Sequence, residues 1–322
     1  MDKKRIFITG GAGFIGSLVN LMLIDQGHET FIYDNLSTGN KQALYGGTLI
    51  EGDLLDKEKL ENAFNQANPD AVMHFAASTD VGESVENPAF YYRNNFTASL
   101  NLLDAMVKHG IKPLIFSSTA AVYGMPDLPK IAEDHLCEPI NPYGESKLMV
   151  EKAIRDYTAA LPIDAISLRY FNAAGADPSC RIRSFKKKEN NLIPIIIHAL
   201  KNDLPVTIYG TDYPTKDGTC IRDYIHVADI GEAHFLALEK LFTGNHSPCY
   251  NLGNGNGFTV REVIRAAEEV TGKKVTVIEG GRRAGDPPVL LADAALANKE
   301  LNWKPSFPKI EQMIRDAWNA RK

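Results

Sequence analysis

The chain predicts an α/β fold: a doubly wound parallel sheet with helices on both faces, joined to a smaller, mixed C-terminal domain. Three observations predict it. Short apolar runs alternate with longer amphipathic stretches through the first half; a glycine-rich turn follows the first apolar run directly; and beyond about Gly175 the alternation gives way to irregular, turn-rich sequence. Strand, helix and strand in steady succession pair in parallel through crossover connections, which places helices on both faces of the sheet.

The apolar runs at 6–9, 29–33, 71–75, 114–117 and 165–169 are short, bounded by polar residues and rich in β-branched or aromatic side chains, as buried strands are. Helical patterns fall between them, at 17–26, 95–109 and 143–158, the second closed by Gly110. Past Gly175 the chain carries a basic run at Lys186, Lys187 and Lys188, a turn-rich segment at 210–218 and a Gly/Asn stretch at 253–257. No internal repeat or low-complexity segment interrupts the pattern.

Composition narrows the class of function. At 322 residues, with 44% hydrophobic and 23% charged content, the chain buries a full core. A net charge of -5 without a basic stripe lacks the field that draws nucleic acid or anionic membrane. The 4 cysteines, Cys137, Cys180, Cys220 and Cys249, have no CxxC spacing and argue against a structural zinc or a disulfide framework; no metal is expected. The N-terminus enters a strand-like run at once, leaving no room for a signal peptide, and no segment is apolar for long enough to span a bilayer. A cytoplasmic protein with reduced thiols is the expectation.

The turn Gly10-Gly11-Ala12-Gly13-Phe14-Ile15-Gly16 contains both GxxGxxG and GxGxxG registers between a strand and a helix. Glycines there allow a tight turn, close approach of backbone to a pyrophosphate and close helix packing, while the helix N-terminus faces the anion. Asp34, at the end of the next strand, suits the hydroxyls of an adenosine ribose and repels a 2'-phosphate, so NAD is favoured over NADP in a Rossmann domain. Asp53 falls where a third strand would end, within reach of an adenine or in a plain solvated turn.

Tyr143 and Lys147, in Asn141-Pro142-Tyr143-Gly144-Glu145-Ser146-Lys147, share one helical face, with Asn141 as N-cap and Pro142 in the first turn. A phenol is a poor base near its ordinary pKa of about 10, and a neighbouring ammonium favours the phenolate. Ser117-Ser118-Thr119 follow the fourth strand at its carboxyl end, where ligands collect in open α/β sheets. Thr119 is placed to bond a reacting hydroxyl. A YxxxK pattern alone is common on solvated helices; the glycine turn gives it meaning.

Together these residues resemble the extended short-chain dehydrogenase/reductase family, and further segments resemble its UDP-glucose 4-epimerase branch: Tyr33-Asp34-Asn35-Leu36, His74-Phe75-Ala76-Ala77, Val81-Gly82-Glu83-Ser84-Val85, Arg169-Tyr170-Phe171-Asn172, Asp217-Gly218-Thr219 and Arg222-Asp223-Tyr224-Ile225-His226-Val227. The resemblance implies NAD held by Gly10, Gly13, Phe14, Ile15, Gly16, Asp34, Asn35, Asp53, Leu54, Phe75, Ala76, Ala77, Asn94, Ser117, Tyr143, Lys147 and Phe171. It implies a UDP-sugar against Thr119, Asn172, Asn191, Leu192, Thr207, Tyr209, Arg222, Arg283, Asp286 and Leu290, with Tyr143, Lys147 and Thr119 catalytic. Arg222 and Arg283 offer forked hydrogen bonds to a diphosphate, and Asp286 a carboxylate to the uridine ribose. Isolated arginines such as Arg181 and Arg282, and the Lys186 to Lys188 run, read as solvated charges.

The division implied is an NAD-binding domain over residues 1–175, to which the chain returns around 218–250, and a UDP-sugar-binding domain over 176–217 and 251–322. Helices at 95–109 and 143–158 have apolar residues to spare for the four-helix homodimer contact common in this family, although burial against the protein's own core reads the same. Sister branches that dehydrate or decarboxylate carry an acid just after the Ser/Thr; here Ala120 and Ala121 follow Thr119, favouring simple epimerisation. Leu290 stands where relatives vary in bulk, and an aliphatic residue there leaves room for a 2-acetamido group. The loop at 179–189 departs from the family's usual pattern. A UDP-pentose or UDP-uronate 4-epimerase, or a non-catalytic NAD-binding scaffold on the same fold, are the alternatives.

Overall fold

Helices on both faces of the sheet follow directly from the side-chain alternation along its central strand. In the computed structural model, which describes residues 2–128, 130–183, 191–244, 246, 248–283 and 286–321, strand β1 (Arg5–Thr9) sends Ile6 and Ile8 to one face and Phe7 to the other. Ile6 and Ile8 pack with Val19 and Leu23 of helix Phe14–Asp25 and with Ile230 and Leu238 of helix Val227–Thr243. Phe7 packs with Phe64 of helix Lys57–Ala67, Leu102 of helix Ala98–Lys108 and Ile154 of helix Pro142–Ala160.

The remaining strands are β2 (Glu29–Asp34), β3 (Thr48–Glu51), β4 (Ala71–His74), β5 (Pro113–Ser117), β6 (Lys130–Ile131), β7 (Asp164–Tyr170), β8 (Asn172–Ala174), β9 (Val206–Tyr209), β10 (Ile221–His226), β11 (Cys249–Leu252), β12 (Gly257–Thr259), β13 (Val277–Gly280) and β14 (Val289–Ala292). The large sheet is parallel, in the order β11-β7-β5-β4-β1-β2-β3. From β1 the chain steps out to β2 and β3, then crosses back to β4 and continues the other way. The order reverses between β1 and β4, and a crevice opens outside their carboxyl ends.

The smaller sheet is mixed, as expected: β10 pairs in parallel with β8 and β14 and antiparallel with β12, and β6 extends it beside β14. Helices Leu192–Asn202, Val260–Thr271 and Ile310–Asn319 enclose a second core around Ile196, Val263 and Met313. The carboxylate of Asp223 in β10 accepts from the backbone of Asn254, Gly255 and Ala292 and so draws three segments together.

Two elements differ from the sequence reading. The helix expected over 95–109 begins at Pro88 and passes through a π turn at Tyr92–Thr97 before running on as Ala98–Lys108. The wider turn is held from within and from outside the helix, because the Ser99 hydroxyl donates to the Asn95 carbonyl (2.5 Å) and the Asn95 amide donates to Ser78 O (3.0 Å) and Ser146 Oγ (3.1 Å). Arg181 and Arg282 are exposed but paired: Arg181 makes a forked contact with Asp25 (2.9 and 2.6 Å) and Arg282 meets Asp212 (2.7 Å). In the 179–189 loop, Asp177 accepts from the backbone of Ser179, Arg181 and Ile182; the Lys186 to Lys188 run lies outside the described residues.

Candidate active site

A cleft of about 1170 Å³ runs from the glycine turn, over the carboxyl ends of β1 and β4, to the small sheet. Gly10 has φ +69°, and a Cβ there would lie 2.5 Å from Ala76 N, so the turn and the strand β4 exit close on one another only with glycine. A Cβ at Gly16 would collide with Gly10 O. Gly13 is different. Its φ of -82° suits any residue, and a Cβ would meet only Gly10 O at 3.1 Å, so the space its hydrogen leaves belongs to the cleft. Gly13 is also the N-cap of helix Phe14–Asp25 and makes no side-chain cap, leaving first-turn N–H groups of Phe14, Ile15 and Gly16 without one. That combination fits a pyrophosphate.

Asp34 is buried behind the turn, its carboxylate accepting from Ala12 N (2.9 Å) and Leu36 N (2.8 Å). Burial raises its pKa while these two bonds oppose the rise. Asn35 donates to the Asp53 carboxylate (2.8 Å), which also accepts from Leu55 N. Asp53 thus both orders its turn and faces the cleft, beside Leu54, Phe75, Ala76, Ala77, Asn94 and Phe171.

At the centre, Tyr143 is buried and stands beside Thr119 in the wall of the cleft. Asn141 caps the helix, accepting from Gly144 N (2.9 Å), and so fixes where Tyr143 enters the cleft. Lys147 and Ser117, both expected to touch cofactor, stand behind the wall: the Lys147 amine donates to the Ser117 carbonyl (2.8 Å) and lies 4.7 Å over the Phe116 ring. The Ser117 hydroxyl pairs with His234 Nε2 (2.9 Å). His234 Nδ1 already meets the Ile230 carbonyl (2.8 Å), an oxygen that only an N–H can satisfy, so Nε2 accepts and Ser117 donates. That commitment turns the Ser117 hydroxyl away from the cleft.

Burial favours the uncharged form of both groups. It pushes the Tyr143 phenol up against the effect of Thr119, and it lowers Lys147 to about 7 against the pull of Glu151. Of the protein's own groups it is Thr119, and not the neighbouring ammonium, that opposes the rise, and desolvation outweighs it.

At the far end Asn172, Asn191, Leu192, Thr207, Tyr209, Arg222, Arg283, Asp286 and Leu290 all line the cleft. The Asn172 amide donates to Asp223 O (2.8 Å), which turns its Oδ1 to other partners. Arg222 donates to Ile221 O and Pro287 O and pairs with Asp286 at 3.2 Å, while the Arg283 guanidinium lies 4.0 Å over the Tyr209 ring. Two wall segments escaped the sequence reading: Ser37, Thr38 and Gly39 beyond β2, and Ser78, Thr79 and Asp80 beyond β4. Their signal was position alone, since each follows the carboxyl end of a strand flanking the crevice.

Comparison with known proteins extends these findings over the whole chain. The profile of the NAD dependent epimerase/dehydratase family matches residues 6–253. A UDP-glucose 4-epimerase of Halalkalibacterium halodurans is 45% identical over 318 residues, covering 98% of this chain and 95% of the relative. The crystal structure of UDP-glucose 4-epimerase from Brucella ovis in complex with NAD superposes with a TM-score of 0.95 at 44% identity, covering 97% of each chain. The UDP-Glc/GlcNAc 4-epimerase from Campylobacter jejuni superposes with a TM-score of 0.86 at 41% identity, covering 98% of each.

Two outcomes follow from the site's geometry. Gly13→Ala leaves the thermal midpoint near that of the parent but lowers the NAD retained per chain after purification, whereas Gly16→Ala lowers both; equal retention in Gly13→Ala would remove the pyrophosphate assignment. Because Lys147 holds its proton to about 7 in the fold and to about 10.4 when unfolded, the unfolded chain binds the extra proton between those values. Stability of the cofactor-free protein therefore rises with pH across that window, by up to about 1.4 kcal/mol per pH unit from this one group. Urea unfolding across that window is expected to show a smaller slope in Lys147→Met.

Proposed function

The chain belongs to the NAD dependent epimerase/dehydratase family, and we propose that its cleft inverts C4 of a UDP-hexose, interconverting UDP-glucose and UDP-galactose. The observation that carries this reading is the continuity of the cleft, which sets the glycine turn and Asp34 at one end, Tyr143 with Thr119 in the middle, and Arg222 with Arg283 at the other. When bound along the first two, NAD supplies the acceptor and then the donor of the C4 hydride. Gly13, the first turn of helix Phe14–Asp25, and Asp34 would hold its pyrophosphate and adenosine ribose; Lys147, which in this structure donates to the Ser117 carbonyl behind the wall, would turn to its nicotinamide ribose.

Tyr143 Oη takes the proton of the sugar 4-hydroxyl as C4 loses hydride, leaving a 4-keto sugar; Thr119 steadies the reacting oxygen. The ketone turns its other face, and the same phenol returns the proton to the oxygen as hydride returns to C4. Turning needs a sugar held loosely on a nucleotide held firmly. Arg222 and Arg283 are the firm part: a diphosphate would draw Arg222 away from Asp286 and free that carboxylate for the uridine ribose. After Thr119 the wall continues as Ala120 and Ala121, so no acid stands ready to eliminate or decarboxylate at the ketone stage.

Leu290, packed beside Ala120, Val122 and Phe171, sets the bulk at the sugar end, and its aliphatic side chain admits a 2-acetamido group. Substrates therefore extend to UDP-GlcNAc and UDP-GalNAc. The division of labour is a cofactor domain over residues 1–175, rejoined around 218–250, and a sugar domain over 176–217 and 251–322. The partner is a second copy of the chain, meeting through helices Ala98–Lys108 and Pro142–Ala160. Among the described residues no helix is long and apolar enough to cross a membrane, and the working location is the cytoplasm.

Purified protein given UDP-galactose without added cofactor is expected to show C4 inversion by proton NMR. Tyr143→Phe lowers kcat by about 10²–10⁴ with little change in KM, and an unchanged kcat would exclude the phenol. Leu290→Tyr removes turnover of UDP-GlcNAc while sparing UDP-galactose; loss of both, or of neither, would contradict the assignment of this side chain.

A further inference from the structure

Glu151 lies one turn beyond Lys147 and two beyond Tyr143 on helix Pro142–Ala160, so the three side chains share a face. Its carboxylate is nine-tenths buried. Oε1 accepts from the Ser118 hydroxyl at 2.5 Å and from Arg169 Nε at 3.0 Å, and Oε2 accepts from Arg169 Nη2 at 2.6 Å. Arg169 is anchored in turn, with Nη1 on the Tyr123 hydroxyl (2.9 Å) and the Glu133 carbonyl (3.2 Å). Ser118 stands between Ser117, whose carbonyl takes the Lys147 amine, and Thr119, which stands beside Tyr143 in the cleft wall. The middle residue of the segment is thus fastened to the same helix face that bears both catalytic groups.

We propose that Glu151 is a positioning residue for proton transfer at Tyr143, clamping the 117–119 segment onto the Tyr143 and Lys147 face of the helix, an inference that rests on the epimerase reading above. The clamp also sets the local charge. Facing Lys147 are Tyr143 on its own helix, the Phe116 ring of β5 and the His74 imidazole of β4, which burial lowers to about 3 and so keeps neutral. Facing Glu151 are Arg169 of β7, the thiol of Cys249 in β11 and the thiol of Cys137, both raised by burial and so neutral near pH 7, with Glu133 behind Arg169. The anion nearest Lys147 is therefore Glu151, and it opposes the burial that lowers the amine. Neutralising it moves Lys147 further down, and the unpaired Arg169 acts in the same direction.

The test is the pH dependence of kcat and KM for UDP-galactose in the holoenzyme and in Glu151→Gln, Arg169→Lys and Ser118→Ala. As pH rises the rate falls when Lys147 loses its proton. Glu151→Gln is expected to move that limb down by about one pH unit, with KM within about twofold. Arg169→Lys keeps the charge and leaves the limb in place; Ser118→Ala removes one bond, lowering kcat by roughly tenfold without moving the limb. A Glu151→Gln enzyme whose limb coincides with that of the parent, with kcat and thermal stability falling together, overturns the proposal and leaves a structural ion pair. Should Glu151→Gln not fold, an unchanged kcat in Ser118→Ala overturns it alone. Should the parent invert no UDP-sugar, the functional reading fails separately. The ε-carbon titration of Lys147 in labelled holoenzyme, assigned with Lys147→Met, then decides: a lower midpoint in Glu151→Gln supports the clamp, and an equal one ends it.

Discussion

The hydrogen bond from the Lys147 amine to the Ser117 carbonyl is the contact on which the site depends. It joins the carboxyl end of β5 to helix Pro142–Ala160 and brings a buried amine behind a buried phenol. Either group alone would be an expense to the fold, since removing a charge from water is unfavourable. Both are nonetheless buried, and burial favours their uncharged forms, with Lys147 falling to about 7. The displaced amine changes protonation state near the pH at which an enzyme works, whereas the phenol alone is moved away from it.

The rest of the molecule arranges ligands around that contact. Reversal of strand order between β1 and β4 opens the crevice, glycines bring backbone close to it, and the small sheet closes its other end. Asp223, in β10, ties the segments of the small sheet together, and its backbone carbonyl also receives the Asn172 amide. Asn172, just beyond β7, and the small sheet therefore belong to one framework; in the proposed reading, arginines holding the nucleotide leave its sugar free to turn against Tyr143.

Legibility in the sequence followed distance along the chain. The glycine turn and the Tyr143 and Lys147 pair were readable because their logic is local: a strand-turn-helix, and a spacing that fits one helical face. The apolar runs at 6–9, 29–33, 71–75, 114–117 and 165–169 likewise declared themselves as strands of the large sheet. The two-residue strand β6, which crosses from the first half of the chain into the small sheet, was not readable, because nothing in Lys130 and Ile131 marks a strand until β14 lies beside them. The π turn was hidden for a similar reason: the groups that satisfy it, Ser78 and Ser146, come from other segments. Ser117 was placed at the right strand end but given the wrong neighbour, since His234, far along the chain, claims its hydroxyl. Glu151 carries no local signal, because the groups that meet on it, Ser118 and Arg169, come from other segments of the chain.

In the proposed reaction one cleft removes hydride from C4 of the sugar and returns the same hydride to the opposite face. UDP-galactose carrying deuterium at C4, incubated in ordinary water with purified protein and no added cofactor, tests it directly. The expected product is UDP-glucose that retains deuterium at C4, with no solvent hydrogen at that carbon. Inverted product that has exchanged its C4 label for solvent hydrogen would contradict it, because the carbon would then have been deprotonated rather than oxidised and reduced.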